Sequence, residues 1–362
     1  ENNKIKKSDA LRKAKSFIQN IHHFRDDAIR LEIAPLEKVV IFDEAQRAWN
    51  KEQTSKFMSQ KKKIEFKMSE PEFLINVMDR HEDWATIICL IGGGQEINTG
   101  EAGLAEWFDA LKKKFKHWDV YISNNITDTE YIRDADIFKL TQGLNYQFVE
   151  ELHLAVSLRS FRSEKVSEFV KAILDINIKK AKELYEDLSK TYSIKLTRSL
   201  TEAKEWVIQK ARGSERYGLI ASSGAKRLRP NGIWVQSEIK AINWFLNGKD
   251  DVRSSYYLEE TATEFDIQGL EIDYAIVAWD ANLRYENGDW KYYKFQGTKW
   301  QNINNIYDRL YLKNAYRVLM TRARQGFIIY VPEGDDDDPT RKTIFYDNVY
   351  NYLSSIIQDN NN

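Results

Sequence analysis

Apolar residues along this chain fall into two rhythms. Short, nearly unbroken apolar runs occur at 39–42 ("VVIF"), 85–91 ("ATIICLI"), 118–123 ("WDVYIS"), 217–223 ("YGLIASS"), 273–280 ("DYAIVAWD") and 327–332 ("FIIYVP"). Runs of that length without polar alternation read as strands buried on both faces. "SIKLTRS" at 193–199 reads as a further strand, and "FVEELHLAVSL" at 148–158 as a half-buried strand or connector. Between them the apolar positions recur every three or four residues, the helical period. Leu11, Ala14, Ile18, Ile21 and Ala28 mark a helix over 9–30, interrupted only by Arg25. Ser69, Pro71 and Glu72 open a helix carrying Phe73, Leu74, Val77 and Met78, since Ser caps the first turn and Glu three residues on completes the cap. Further helices are read at 103–115, 163–175, 178–190 and 237–248, and through 308–324. Ser199 and Glu202 form a second capping pair, with Gly213 ending that helix. Strands alternating with helices predict an α/β fold, its parallel sheets covered by helices on both faces.

The 362 residues leave room for two domains, and the pattern resets after residue 140. The expected division is 1–145 and 146–362. A net charge of −1 excludes a surface coated in positive charge, so any nucleic-acid contact must be local. One cysteine, Cys89, excludes a disulfide framework and fits a reducing cytoplasm, the expected location. No apolar run reaches the ~20 residues that span a bilayer.

The candidate chemistry sits where the apolar runs stop. "VVIF" runs straight into Asp43 and Glu44. Buried together, two carboxylates are costly unless a cation shares their site, and "IFDEAQR" has the form of a Walker B strand. The next strand ends in "LIGGGQEINTGEAG", whose glycine spacing, with no Lys-Ser or Lys-Thr after it, fails as a phosphate loop. It reads either as a plain turn or as a strand tip presenting Gln95. "LRSFRS" places Phe161 and Arg162 at a helix start, either as stacking ring and phosphate ligand or as entry aromatic and surface arginine. Gln268, Gly269 and Glu271 precede the strand at 273–280, and Thr321, Arg322 and Arg324 lie between the last helix and the last strand. The aromatic-rich stretch 288–300 interleaves Tyr292, Tyr293, Phe295 and Trp300 with Lys291, Lys294 and Lys299. That composition suits base stacking with phosphate pairing, or a packed lid with solvated lysines. Lys61–Lys63, Lys112–Lys114 and "KRLR" at 226–229 are the other basic runs. The five histidines have no metal-ligand spacing.

The order of these motifs resembles the motor core of superfamily 1 helicases over residues 8–332, where motifs II to VI carry these residue types. "FDEAQRAW", "LIGGGQEINTGE" and "NAYRVLMTRAR" resemble more narrowly a bacterial family of ATPases related to the helicase-like part of Schlafen proteins. The resemblance implies two RecA-like domains, the first N-terminally truncated here, with the nucleotide held between them. It implies ATP and Mg²⁺ as ligands and single-stranded DNA or RNA as partner, with no membrane. Asp43 is then the Mg²⁺ ligand through water and Glu44 the polariser of the attacking water. Gln46 and Gln95 sense the γ-phosphate, Phe161 lies near adenine, and Gly269 and Glu271 contact the nucleotide. Arg162 and Arg322 are arginine fingers, with Arg159 competing for the first role and Arg324 less suited to the second. The nucleic-acid candidates are Tyr292, Tyr293, Trp300 and Lys294.

One element of that family is missing: no G-x-x-x-x-G-K-[ST] occurs in the chain, "NGKD" at 247–250 being its nearest echo. The expectation is that an upstream segment carries it and that residues 1–362 alone hydrolyse negligibly. The rival expectation is a non-catalytic nucleotide- or RNA-binding module of a larger defence or restriction protein.

Overall fold

A computed structural model describes residues 18, 24, 28–29, 33–60, 67–91, 103–127, 137–153 and 161–357, with backbone only for 56–60, 125, 127 and 161–163. The chain divides into two compact units, Glu1–Glu96 with Gly100–Leu154 and Ile97–Thr99 with Ala155–Asn362. Most of the helix expected over 9–30 lies outside the described residues.

In the first unit, β1 (Val39–Phe42) and β2 (Thr86–Cys89) pair in parallel from Val39↔Thr86 to Phe42↔Cys89. Helix α1 (Lys51–Gln60) and α2 (Glu70–Met78) lie between them in sequence. The Ser69 hydroxyl accepts the Glu72 N–H at the start of α2, as the capping pattern requires. Helix α3 (Gly103–Lys114) leads to β3 (Asp119–Ser123), and the short α4 (Ile137–Thr141) to β4 (Asn145–Val149).

The sequence predicts β1, β2 and β3 as neighbours. Instead β3 pairs in parallel with β4, from Asp119↔Asn145 to Ser123↔Val149, and among the described residues with neither β1 nor β2. The apolar stripe of α3 explains the split. Trp107 and Ala110 pack in one cluster with Phe42, Ile87 and Cys89. Leu104 and Phe108 pack in another with Val120, Ile122, Tyr146 and Phe148, and Leu111 touches both. Side chains alternate across a strand, and Val39, Ile41 and Ile88 on the face away from α3 are 46%, 62% and 40% exposed.

The second unit is better sealed. Helices α5 (Phe161–Leu174) and α6 (Ile178–Leu188) precede β5 (Ser193–Thr197). Helix α7 (Leu200–Lys210), capped by Ser199 on the Glu202 N–H, leads to β6 (Tyr217–Ala221). Then come α8 (Ala241–Leu246), β7 (Thr261–Ala262), α9 (Glu264–Ile267) and β8 (Ile272–Ala278). Strands β9 (Leu283–Glu286), β10 (Asp289–Gln296) and β11 (Lys299–Asn302) follow, then α10 (Ile306–Met320), β12 (Ala323–Tyr330) and α11 (Thr343–Ser354). The main sheet runs β5-β12-β8-β6-β7, every pair parallel. Every residue of β6 and β8 is buried. Ala275, Val277, Phe327 and Ile329 face a cluster with α5, α6, α10 and α11. Tyr274, Ile276, Ala278 and Ile328 face a second cluster with α7. The aromatic-rich stretch 288–300 is most of a three-stranded antiparallel sheet in the order β11-β10-β9.

Candidate functional site

Beyond β1 the chain turns through Asp43 and Glu44 into a single 3-10 turn, Ala45–Arg47. Glu44 has φ 52 and ψ 41, the left-handed region, which a non-glycine residue occupies only at a cost on the order of 1–2 kcal/mol. The surroundings hold it there. The Ala45 N–H donates to the Leu90 carbonyl at 2.9 Å, and Leu90 N–H to Phe42 carbonyl at 2.9 Å. The Trp107 indole N–H donates to the Ala45 carbonyl at 2.8 Å. Gln46, only 2% exposed, donates its amide Nε2 to Glu44 Oε2 at 2.7 Å. A strained residue locked from several sides is characteristic of functional turns.

The carboxylates themselves are not buried: Asp43 is exposed and Glu44 half-exposed. Solvent therefore screens the two like charges, and no cation is needed to relieve their burial. Asp43 Oδ1 accepts the Glu44 N–H at 3.0 Å, and the exposed carboxylate is a hard oxygen donor. Mg²⁺ characteristically binds through one or two carboxylates plus waters and substrate phosphates, so the pair fits that ion. Among the described residues no three His, Cys, Asp or Glu side chains form a cage for a resident metal. Gln95 lies outside the described residues. Cys89 is a core thiol, pushed up to about 12 by burial.

In the second unit, the structure brings four of the predicted residues to one edge. Gly269, at φ +79, and Glu271 lead into the amino end of β8. Arg322 and Arg324 flank the first residue of the adjacent β12, where Ala323 is paired with Ile272. The Ile272 N–H donates to the Arg322 carbonyl at 3.1 Å, joining the two segments. Arg322 is 2% exposed, its guanidinium turned back on its own helix with Nε donating to the Val318 carbonyl at 3.3 Å. Arg324 is ion-paired to Asp273 at 2.9 Å. Asp273, which the sequence does not single out, also accepts the Arg216 N–H at 2.7 Å. Its one signal is an acid inside an otherwise apolar run. Phe161 and Arg162 occupy the first two positions of α5, and Arg159 lies outside the described residues.

The opposite, carboxyl edge of this sheet holds a polar network that the motifs do not announce. Asp280 is fully buried beyond β8 and accepts from the Arg227 and Ala281 N–H groups and, at 2.9 Å, from the Tyr346 hydroxyl. Glu264 is 3% exposed and accepts the Ser223 N–H and hydroxyl, each at 2.7 Å. Burial raises both carboxyls above their ordinary range despite these donors.

The aromatic stretch is largely engaged in packing. The Arg284 guanidinium lies over the rings of Tyr293 (4.1 Å), Trp300 (5.2 Å) and Phe345 (3.5 Å). The Trp300 indole donates to the Thr340 carbonyl at 2.7 Å, and Tyr292 packs against the main core. Lys294 projects from the hairpin and is exposed.

A family model describing the Schlafen group 3 DNA/RNA helicase domain matches residues 1–333. The chain belongs to this family. The resemblance read from motif order and wording is borne out by that match, and the parallel five-stranded sheet agrees with its α/β architecture. No curated protein matches the chain. The Schlafen match stops at residue 333, yet α11 beyond it is integral to the second unit. Tyr346 from α11 reaches Asp280, and the Tyr352 hydroxyl donates to the Ile173 carbonyl at 2.6 Å. Among the described residues, no helix is long and apolar enough to cross a membrane.

Proposed function

We propose that this Schlafen helicase domain binds and hydrolyses ATP with Mg²⁺ and couples that cycle to single-stranded nucleic acid. The observation that carries the reading is the turn after β1. A glutamate in a left-handed conformation, its carboxylate accepting from the buried Gln46 amide, supports a general-base role for Glu44. Asp43 would hold Mg²⁺ through water, and the ion would neutralise phosphate charge. Glu44 accepts a proton from the attacking water while Gln46 keeps its Oε2 in place. Gln95 is assigned to γ-phosphate sensing, Phe161 to the adenine, and Gly269 and Glu271 to the nucleotide. Arg322 and Arg162 are assigned to charge neutralisation as phosphoryl transfer proceeds. For Arg322 this requires its guanidinium to turn outward from its buried position on Val318. Arg324, tied to Asp273, is the supporting cation.

The same burial of Arg322 favours a second reading, a nucleotide-binding switch that does not turn over. Both readings require Mg²⁺-dependent nucleotide binding in the full reading frame. A fluorescent ATP analogue should bind more tightly with Mg²⁺ than with EDTA, and Asp43→Asn should remove most of that difference. Equal Mg²⁺ dependence in Asp43→Asn and the unmodified protein would overturn the assignment of Asp43.

A further inference from the structure

Ala45, the residue after the strained Glu44, is gripped by both of its backbone groups. Its N–H donates to the Leu90 carbonyl just past β2 at 2.9 Å. Its carbonyl accepts the Trp107 indole N–H, from α3, at 2.8 Å, and more loosely the Ala48 N–H at 3.3 Å. Ala45 is 4% exposed and Trp107 6%, so the indole bond is shielded from water. Removing a donor at a buried carbonyl takes away a partner that water cannot replace, and that is costly.

Packing alone does not call for an indole here. Trp107 lies in one cluster with Phe42, Ala48 and Ile75, its ring 5.9 Å from that of Phe42 and inclined by 42°. A phenylalanine would meet those apolar contacts, as its neighbour Phe108 does in the other cluster that α3 covers. What tryptophan adds is an N–H, which needs a partner once buried. The contacts around the ring also hold that donor in place. The apolar period of α3 marks Leu104, Trp107, Phe108 and Leu111 alike, so nothing in the pattern separates Trp107 from Phe108.

We propose that Trp107 is a positioning residue for the Asp43–Glu44 turn: by holding the Ala45 carbonyl, its indole N–H keeps Glu44 left-handed and sets the direction of the Glu44 carboxylate. Gln46 holds that carboxylate at its far end, donating to Oε2 at 2.7 Å. Trp107 holds the backbone from which it springs. Without the indole bond the Ala45 carbonyl is released, and Glu44 relaxes from φ 52 toward the right-handed region, which costs less. The carboxylate then swings away from the attacking water, and a base acts only within hydrogen-bond reach. The proposal rests on the base role proposed above for Glu44.

The test is steady-state ATP hydrolysis with Mg²⁺ by the full reading frame, measured beside nucleotide affinity and the urea midpoint. Trp107→Phe removes the donor and shrinks the ring. Replacing Trp107 by benzothienylalanine removes the donor and keeps the ring's shape, because sulfur takes the place of the N–H. Both should lower kcat by about 10- to 100-fold, the scale on which a small misplacement of a reacting group acts. KM and nucleotide affinity should change little. Phe108→Leu, in the cluster that α3 shares with β3 and β4, is the structural control. It should lower the urea midpoint and leave kcat in place. Unmodified kcat in the benzothienyl variant, or an equal loss of kcat in Phe108→Leu, overturns the role of Trp107 and leaves the reading of Glu44 standing. No hydrolysis by the unmodified protein overturns both.

Discussion

Glu44 is the residue at which local preference and global structure conflict most openly. Its left-handed backbone would suit glycine, yet the turn keeps a glutamate whose carboxylate is held by Gln46. Sequence order identifies the Asp43–Glu44 pair, but neither the strain nor the roles of Trp107 and Leu90 can be read from it. Those depend on partners 62 and 45 residues away. A different kind of conflict is stored in Glu264, whose burial raises its carboxyl pKa even though Ser223 donates to it twice. A carboxyl whose pKa is raised on folding keeps its proton to higher pH in the folded chain than in the unfolded one. Its stabilising contribution is therefore present below the ordinary carboxyl range and is lost as pH rises from about 4 through the raised value. Glu264→Gln should flatten that part of the stability curve, measured as the urea midpoint across pH. An unchanged slope would mean that Asp280, shifted in the same direction, accounts for it instead.

At the scale of elements, long strands and helices were the most legible. β6, β8 beyond Asp273 and β12 from Phe327 onward are apolar runs because both faces of their sheet are covered there, and the caps at Ser69 and Ser199 are local hydrogen bonds that sequence spacing encodes. What escaped is non-local. The strand β4, "NYQFV", alternates polar and apolar residues and gains its identity only by pairing with β3. The stretch 288–300 looks like a loop because lysines punctuate it, yet those lysines are the outward positions of a hairpin. The split of the first unit into β1–β2 and β3–β4 is set by how α3 divides its side chains, which no strand pattern reveals. Packing within the second sheet gives a direct check. A Cβ added at Gly218 in β6 would lie 2.4 Å from Cη2 of Trp244, a fully buried ring. Gly218→Ala should therefore destabilise the protein by about 1–3 kcal/mol through overpacking, read from chemical denaturation. A loss under about 0.5 kcal/mol, as at an ordinary surface site, would show that Trp244 yields easily.

For the whole molecule, the two units differ in how completely their sheets are sealed. In the second, every residue of the inner strands β6 and β8 is buried, while Val39, Ile41 and Ile88 are exposed in the first. The Schlafen helicase-domain match spans both units. A protein of net charge −1 does not attract nucleic acid by its overall field, so the nucleic-acid half of the proposal requires a local patch. The account as a whole depends most on Glu44 acting as a base. Its most direct test is steady-state ATP hydrolysis by the full reading frame, with Mg²⁺ and with or without single-stranded nucleic acid, comparing the unmodified protein with Glu44→Gln. The expected result is hydrolysis that nucleic acid stimulates and that Glu44→Gln abolishes while nucleotide binding is kept, because the amide preserves shape and loses the base. Hydrolysis that survives Glu44→Gln undiminished would contradict the account.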